Sequence, residues 1–257
     1  MKKLEGKKAV VIGGSRGTGL AITKALVEEG ADLLVVARNA TSLAEVANGL
    51  PSVQTLSADA TDEATIITIF QHEPDVVVLA AGAMPPHKPL HLLDWNTFST
   101  NWNTDVKAAF GIAHHALTAS VKPGTLIIFI ASGAALFGSP ISGGYAGSKR
   151  TQLFLANYAQ EASNRLKLGL RFLALAPLRL MDGTGVGEVV IPAYAAYSGI
   201  SEADFKARMS LAQSKEEVAE QVVSMASRPP QLDEGNAWFI TQKGLLTESK
   251  LREQMGI

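Results

Sequence analysis

Ala9-Val-Val-Ile-Gly-Gly-Ser-Arg-Gly-Thr-Gly19 decides the fold of this chain. Ala9–Ile12 is a continuous apolar run of strand length, and it passes straight into a turn with glycines at 13, 14, 17 and 19. An amphipathic segment, Thr18–Glu29, follows and is closed by Gly30, the residue type that ends helices. A strand, a glycine turn and a helix in that order bring backbone N–H groups and the positive end of a helix to one point, where a pyrophosphate can be held. The spacing is G-x-x-x-G-x-G rather than G-x-G-x-x-G. Such a turn can also be purely structural, so its meaning depends on the rest of the chain.

Working outward, short apolar runs recur at Leu33–Ala37, Val53–Leu56, Val76–Ala81, Leu126–Ala131, Phe172–Ala176 and Trp238–Ile240. Most are continuous rather than alternating, which suits strands covered on both faces. Helix-like segments lie between them. The β-α-β-α rhythm predicts a Rossmann-type, doubly wound parallel sheet of about seven strands in three layers, α/β/α. No repeat or low-complexity linker divides residues 1–257, so a single dinucleotide-binding domain is expected. Leu178–Gly199 breaks the rhythm with glycines and small residues. The expectation there is a substrate loop or lid at about 178–212, an ordinary long surface loop being the other reading.

Composition narrows the classes. The chain has 257 residues, 47% hydrophobic and 18% charged, a net charge of −1 and no cysteine. Disulfides and thiolate chemistry are excluded, and the absence of a basic run argues against nucleic acid. No apolar stretch reaches the roughly 18 residues of a membrane span. Met-Lys-Lys-Leu-Glu-Gly-Lys-Lys8 is too polar for a secretory leader, so a cytoplasmic protein is expected.

Two sites of chemistry stand out. Arg38 ends the second run, where a dinucleotide ribose lies in such folds. Ala37-Arg38-Asn39 carries a cation and no carboxylate, and Arg16 in the glycine turn is a second cation. Two guanidiniums suit a 2′-phosphate, which favours NADP(H) over NAD. Asp59, after the third run, either accepts from an adenine amino group or caps a helix beginning near Thr61. The second site is Ser132, Tyr145 and Lys149. Helical spacing puts Tyr145 and Lys149 on one face, one turn apart. An ammonium beside a phenol favours phenolate and makes the phenol a better proton donor and acceptor near neutral pH. Ser132 ends the run Thr125–Ala131, where a hydroxyl can hold a carbonyl oxygen while the phenol protonates it.

These motifs, in order and at these separations, resemble those of the short-chain dehydrogenase/reductase family, in its single-domain branch, over nearly the whole chain. The glycine turn, Tyr145-Ala-Gly-Ser-Lys149 and a serine thirteen residues before the tyrosine carry the resemblance. It implies Tyr145 as general acid/base, Lys149 as the group that tunes the phenol and binds the nicotinamide ribose, and Ser132 as the residue that positions the substrate carbonyl. It implies cofactor contacts at Gly13, Ser15, Arg16, Gly17, Thr18, Gly19, Arg38, Asp59, Ala60, Ala81, Gly82, Tyr145, Lys149 and Pro177. Homodimers or homotetramers are usual in that family.

Several positions depart from the family pattern. Ile12 replaces the usual threonine, and Leu79-Ala-Ala-Gly82 lacks the usual asparagines, so other groups must satisfy the backbone there. Thr104-Asp105-Val-Lys-Ala-Ala-Phe110 aligns Asp105 with the family's catalytic asparagine, whose main-chain carbonyl holds a relay water; Asn103 is the other register. Leu178 stands for a glycine, and Asp182 for a carboxamide-binding threonine that Thr184 replaces if the loop bends.

The resulting expectation is an NADP(H)-dependent carbonyl reductase or alcohol dehydrogenase acting on a small, apolar ketone or secondary alcohol. Val186, Val189, Ile191, Tyr194 and Tyr197 are pocket candidates or loop packing. A non-catalytic NADP-binding sensor or scaffold is the rival, motivated by the departures at Ala80, Asp105, Leu178 and Asp182. A 3-oxoacyl-carrier reductase would need a basic patch, for which Lys206, Arg208 and Lys215 are scattered candidates. Gly13-Gly-Ser15-Arg-Gly17 also fits a hydrolase elbow, but no histidine follows His115 to complete a triad. No spacing of the five histidines suits a metal site, and none is expected.

Overall fold

The computed structural model describes residues 2–178, 185–208, 213–231, 234–242 and 244–256. Strand β1 (Lys8–Ile12) leads into helix α1 (Gly17–Glu28), followed by β2 (Asp32–Ala37), α2 (Ala40–Gly49), β3 (Gln54–Ser57), α3 (Glu63–Gln71) and β4 (Val76–Leu79). After β4 come α4 (Trp95–Asn101), a π-helical turn at Trp102–Val106, α5 (Lys107–Thr118) and β5 (Leu126–Ile130). A short helix α6 (Ala134–Phe137), the long α7 (Tyr145–Leu166) and β6 (Arg171–Pro177) complete the central part. The C-terminal part has α8 (Gly185–Ser198), α9 (Glu202–Arg208), α10 (Lys215–Ser227), β7 (Ala237–Thr241), β8 (Gly244–Thr247) and α11 (Glu248–Met255).

The sheet runs β3-β2-β1-β4-β5-β6-β7-β8. The pairs from β3 to β7 are all parallel, and β8 folds back antiparallel on β7. This is the doubly wound sheet expected, with an eighth strand. Gly244-Leu-Leu-Thr247 is half exposed and short, so no apolar run marks it in the sequence.

The continuous apolar runs are explained by two cores, one on each face. Val10 and Ile12 of β1 pack with Ile66, Ile69, Ile112 and Ala156 from α3, α5 and α7. Ala9 and Val11 point the other way, onto Ile22 and Leu26 of α1 and Val218 and Val222 of α10. Alternate residues of one strand thus feed opposite cores. Each fully buried aliphatic side chain contributes about 1.5–3 kcal/mol relative to exposure.

The chain reverses direction across the sheet between β1 and β4, which are neighbours. The segments leaving their C-terminal ends diverge and open a crevice, the usual place for a ligand in this architecture.

At the opposite end of the sheet, Asp75 ties three strands together. Its Oδ2 accepts from Lys8 N at 3.0 Å and its Oδ1 from Lys122 Nζ at 2.7 Å, with Lys7 Nζ 3.6 Å away. Partial burial works to raise its pKa, but the Lys122 and Lys8 hydrogen bonds outweigh it and the net shift is downward from 3.8. A depressed carboxylate contributes stability above its unfolded pKa and loses it as pH falls through the folded one. Asp75→Ala is expected to cost about 1–2 kcal/mol at pH 7, after allowing for the exposed lysines, and progressively less at an acid pH well below 3.8. Denaturant melts at the two pH values check this.

The segment expected as a loop or lid is largely helical. α8 spans 185–198 with Pro192 inside it, and α9 follows. Buried Val190, Ile191 and Ala195 supply an apolar face that small residues elsewhere in the segment disguise. The remainder of the expected lid, 179–184 and 209–212, lies outside the described residues.

Candidate active site

A cleft of about 730 Å³ opens at the β1/β4 crevice. It is lined by Gly13, Ser15, Arg16, Gly17, Thr18 and Gly19 from the glycine turn, and by Arg38, Asp59 and Ala60 from the ends of β2 and β3. Ala81, Gly82 and Thr104 close its inner end. The glycines at 13 and 19 are required by packing. Gly13 has φ +84°, and a Cβ there would stand 2.5 Å from Ala81 N. A Cβ on Gly19 would collide with the Gly13 carbonyl oxygen. The turn therefore folds flat and leaves the α1 N-terminus open to the cleft. Backbone donors, a helix N-terminus and two guanidiniums form a donor set that fits a dinucleotide pyrophosphate and an added phosphate.

Arg16 and Arg38 are exposed at the mouth. Arg38 Nη1 also lies 3.8 Å from Asp59 Oδ2, a loose exposed pair that leaves the guanidinium available. The residues beside Arg38 contain no acid, yet the tertiary fold brings one from β3. Asp59 Oδ1 accepts from Thr61 N at 2.9 Å, and that bond, with Arg38, holds the carboxyl below its usual 3.8. Asp59 closes a turn; α3 starts at Glu63 with Asp62 in the capping position, so Asp59 does not cap it.

Ser132 follows β5 directly, and its Oγ accepts from Ala134 N at 3.2 Å. Tyr145 is the first residue of α7 and Lys149 lies one turn on, with Nζ 5.6 Å from the Tyr145 ring centroid. Lys149 is buried. Its Nζ donates to Ile130 O at 3.1 Å and Gln152 Oε1 at 3.2 Å, and stands 3.4 Å from Asp105 Oδ2.

Asp105 lies on the π-helical turn, a local widening that recurs at functional sites. Its side chain is buried; Oδ1 accepts from Ala83 N and from Thr104 Oγ1, both at 2.8 Å. Oδ2 meets Lys149 as an ion pair without closing a hydrogen bond. Asn103 is exposed and bonds Ser99 instead, so Asp105 is the register that faces the lysine. A Cβ on Gly82 would lie 2.7 Å from Asp105 Oδ2, so this buried carboxylate packs behind Gly82 of the cleft wall, while Ser132, Tyr145, Lys149 and Pro177 lie outside the cleft lining.

The missing asparagines of the Ala80 segment have substitutes. Ala80 N donates to Ile12 O, Asn101 Nδ2 to Ala83 O at 2.8 Å, and Asp105 takes Ala83 N. Asn101 and Gln152 were not legible as site residues, since each is a polar residue inside a helix. Only their complete burial marks them.

Pro177 ends β6 and its carbonyl accepts from Gly133 N at 2.9 Å. Leu178 N donates to Ile240 O at 3.4 Å. Asp182 and Thr184 lie outside the described residues. On α8, the Tyr194 ring stacks on Phe205 at 5.9 Å. Burial, with the phenols of Tyr145 and Tyr197, pushes Tyr194 up to about 12, so it stays a hydrogen-bond donor throughout the physiological range. Ile191 is buried, whereas Val189 and Tyr197 are about half exposed. Lys206 and Arg208 are exposed on α9, while Lys215 opens α10.

A doubly wound sheet with a glycine-lined cleft at its switch point defines a dinucleotide-binding protein. The family model described as short chain dehydrogenase matches residues 7–177, and the chain belongs to that family of oxidoreductases. It is 28% identical over 192 residues to short-chain dehydrogenase reductase 5 of Arabidopsis thaliana, covering 71% of this chain and 73% of that one. It is 31% identical over 157 residues to hydroxynaphthalene reductase arp2 of Aspergillus fumigatus, covering 57% of each. An actinorhodin polyketide ketoreductase variant solved with NADPH superposes with a TM-score of 0.74 at 20% identity, covering 86% of this chain and 90% of that one. Among the described residues no helix is long and apolar enough to cross a membrane.

Proposed function

We propose that the protein is an NADPH-dependent carbonyl reductase, working in reverse as an alcohol dehydrogenase. The observation that carries this reading is the Tyr145–Lys149 pair on one helix turn, joined through Asp105 to the inner end of a dinucleotide-sized cleft. NADPH held there supplies hydride to a carbonyl carbon. Tyr145 gives its phenolic proton to the oxygen that gains charge, and Ser132 Oγ orients that oxygen by a hydrogen bond. Lys149 places positive charge beside the phenol. The cytoplasm is the proposed location and a homodimer or homotetramer the proposed assembly.

An apolar ketone is the proposed substrate. The apolar character of α8 supports this, as do the reductase names of the fungal relative and the polyketide enzyme. The test is NADPH consumption with a panel of ketones, aldehydes and diketones; a panel with no turnover would remove the proposal.

Cofactor choice rests on Arg16 and Arg38. Arg38→Asp is expected to weaken NADPH binding by about 10- to 100-fold, the worth of a charge-assisted hydrogen bond, and to leave NADH within about threefold. Fluorescence titration with both cofactors decides it. Equal losses for both, or none for NADPH, would overturn the assignment of Arg38 to a 2′-phosphate.

A further inference from the structure

We propose that Gln152 is a positioning residue that fixes the direction of the Lys149 ammonium, an inference that rests on the reading above. Gln152 has no exposed surface, although an unpartnered amide inside a protein is costly. Both ends of the amide are used within the site. Oε1 accepts from Lys149 Nζ at 3.2 Å, and Nε2 donates to the Asp105 main-chain carbonyl at 3.4 Å. The partners' chemistry dictates this orientation. An ammonium only donates and a carbonyl only accepts, so the reversed amide would set donor against donor and acceptor against acceptor.

The ammonium has three donors on a flexible four-carbon stem. Ile130 O and Gln152 Oε1 take two of them. The third is left on the side of Asp105 Oδ2, 3.4 Å away, which is also the side of the cleft. Without the Gln152 acceptor, the strongest remaining attraction on Nζ is the Asp105 carboxylate, and the ammonium would move onto it. Gln152 therefore holds the lysine short of a closed ion pair. The same amide occupies one lone pair of the Asp105 carbonyl, where the family resemblance implies a relay water. It also ties the π-helical turn to α7, so one side chain sets the relation of Asp105, Lys149 and, through the helix, Tyr145.

Two variants of the full chain test this. Gln152→Met keeps the volume and loses both hydrogen bonds. Gln152→Glu keeps an acceptor toward Lys149, loses the donor toward Asp105 and adds a negative charge that faces the Asp105 carbonyl. Each is assayed for NADPH-dependent turnover of the best carbonyl substrate, NADPH affinity and Tm. Gln152→Met is expected to lower kcat by about tenfold or more with substrate KM within about threefold, a split that loosened packing alone would not give. Gln152→Glu is expected to lower kcat severalfold less than Gln152→Met does, because an acceptor for the Lys149 ammonium remains. A parental kcat in Gln152→Met overturns the proposal. If Gln152→Met does not fold, Gln152→Leu is assayed in its place, a tenfold or larger loss in kcat supporting the proposal and parental turnover overturning it. If the parent itself turns over no substrate, the functional reading fails separately. NADPH affinity then judges Gln152, with weakening of about fivefold or more in Gln152→Met supporting the proposal and parental affinity overturning it.

Discussion

Tyr145→Phe is expected to lower kcat for carbonyl reduction by about 10³-fold, within the 10²–10⁴ range that a positioned general acid supplies. The substitution removes one oxygen and leaves the ring, whose centroid lies 5.6 Å from Lys149 Nζ, in place. Among the described residues the Tyr145 hydroxyl bonds no protein group, so phenylalanine strands no buried partner. Tm and NADPH affinity should therefore stay close to the parent's. The effect should appear as equal losses in kcat and kcat/KM, because the proton is delivered only as charge develops on the oxygen. Steady-state rates with an excess of NADPH measure it. A variant that reduces the same ketone at the parental rate would remove Tyr145 from the chemistry and with it the proposed mechanism.

The largest effect on stability is expected at Asp105. Its side chain is fully buried and that of Lys149 is 7% exposed. Asp105→Ala leaves an ammonium inside the protein without its counter-charge and frees the Ala83 N–H from its acceptor, while the Thr104 hydroxyl keeps the Thr100 carbonyl at 2.9 Å. Breaking a buried pair from one side costs about 3–5 kcal/mol, against the 5–15 kcal/mol that holds a typical domain together. For a chain of this size that is a fall in Tm on the order of 10 °C. Asp105→Asn keeps an acceptor for Ala83 N but also removes the counter-charge, so its loss should fall between the parent and Asp105→Ala. The double variant Asp105→Leu/Lys149→Met removes both charges and is expected to recover most of the lost stability, since desolvated pairs gain little over apolar packing. It should have no catalytic activity. Scanning calorimetry of the three variants checks the order, and an Asp105→Ala melt that coincides with the parent's would contradict a buried ion pair.

This pair also shows where sequence reading reached its limit. The glycine turn and the Tyr145–Lys149 spacing were legible because local geometry dictates their arrangement. A strand–turn–helix puts its glycines at one cleft, and helical periodicity alone sets Tyr145 and Lys149 on one face. Asp105 was legible as a position but not as a contact. Its alignment pointed to a main-chain role, whereas the fold brings its carboxylate to Lys149 and its carbonyl to Gln152. The helix at Gly185–Ser198 was not marked, because glycines and small residues mask an apolar face that only packing reveals. The short β8 was missed for a related reason, since a four-residue half-exposed strand depends on its neighbour β7 for existence.

The sequence by itself determined the alternation of strands and helices, the glycine turn and the tyrosine–lysine pair. Each of these follows from interactions between residues close along the chain. The tertiary structure decided how that pair is surrounded. Asn101, Asp105 and Gln152 come from α4, the π-helical turn and α7, and they meet Lys149, Ala83 and one another across sequence separations from 3 to 47 residues. Only the Lys149–Gln152 contact is local; no local rule brings the others together. Burial does, because a buried charge or amide must find its partner among whatever side chains the packed layers place beside it.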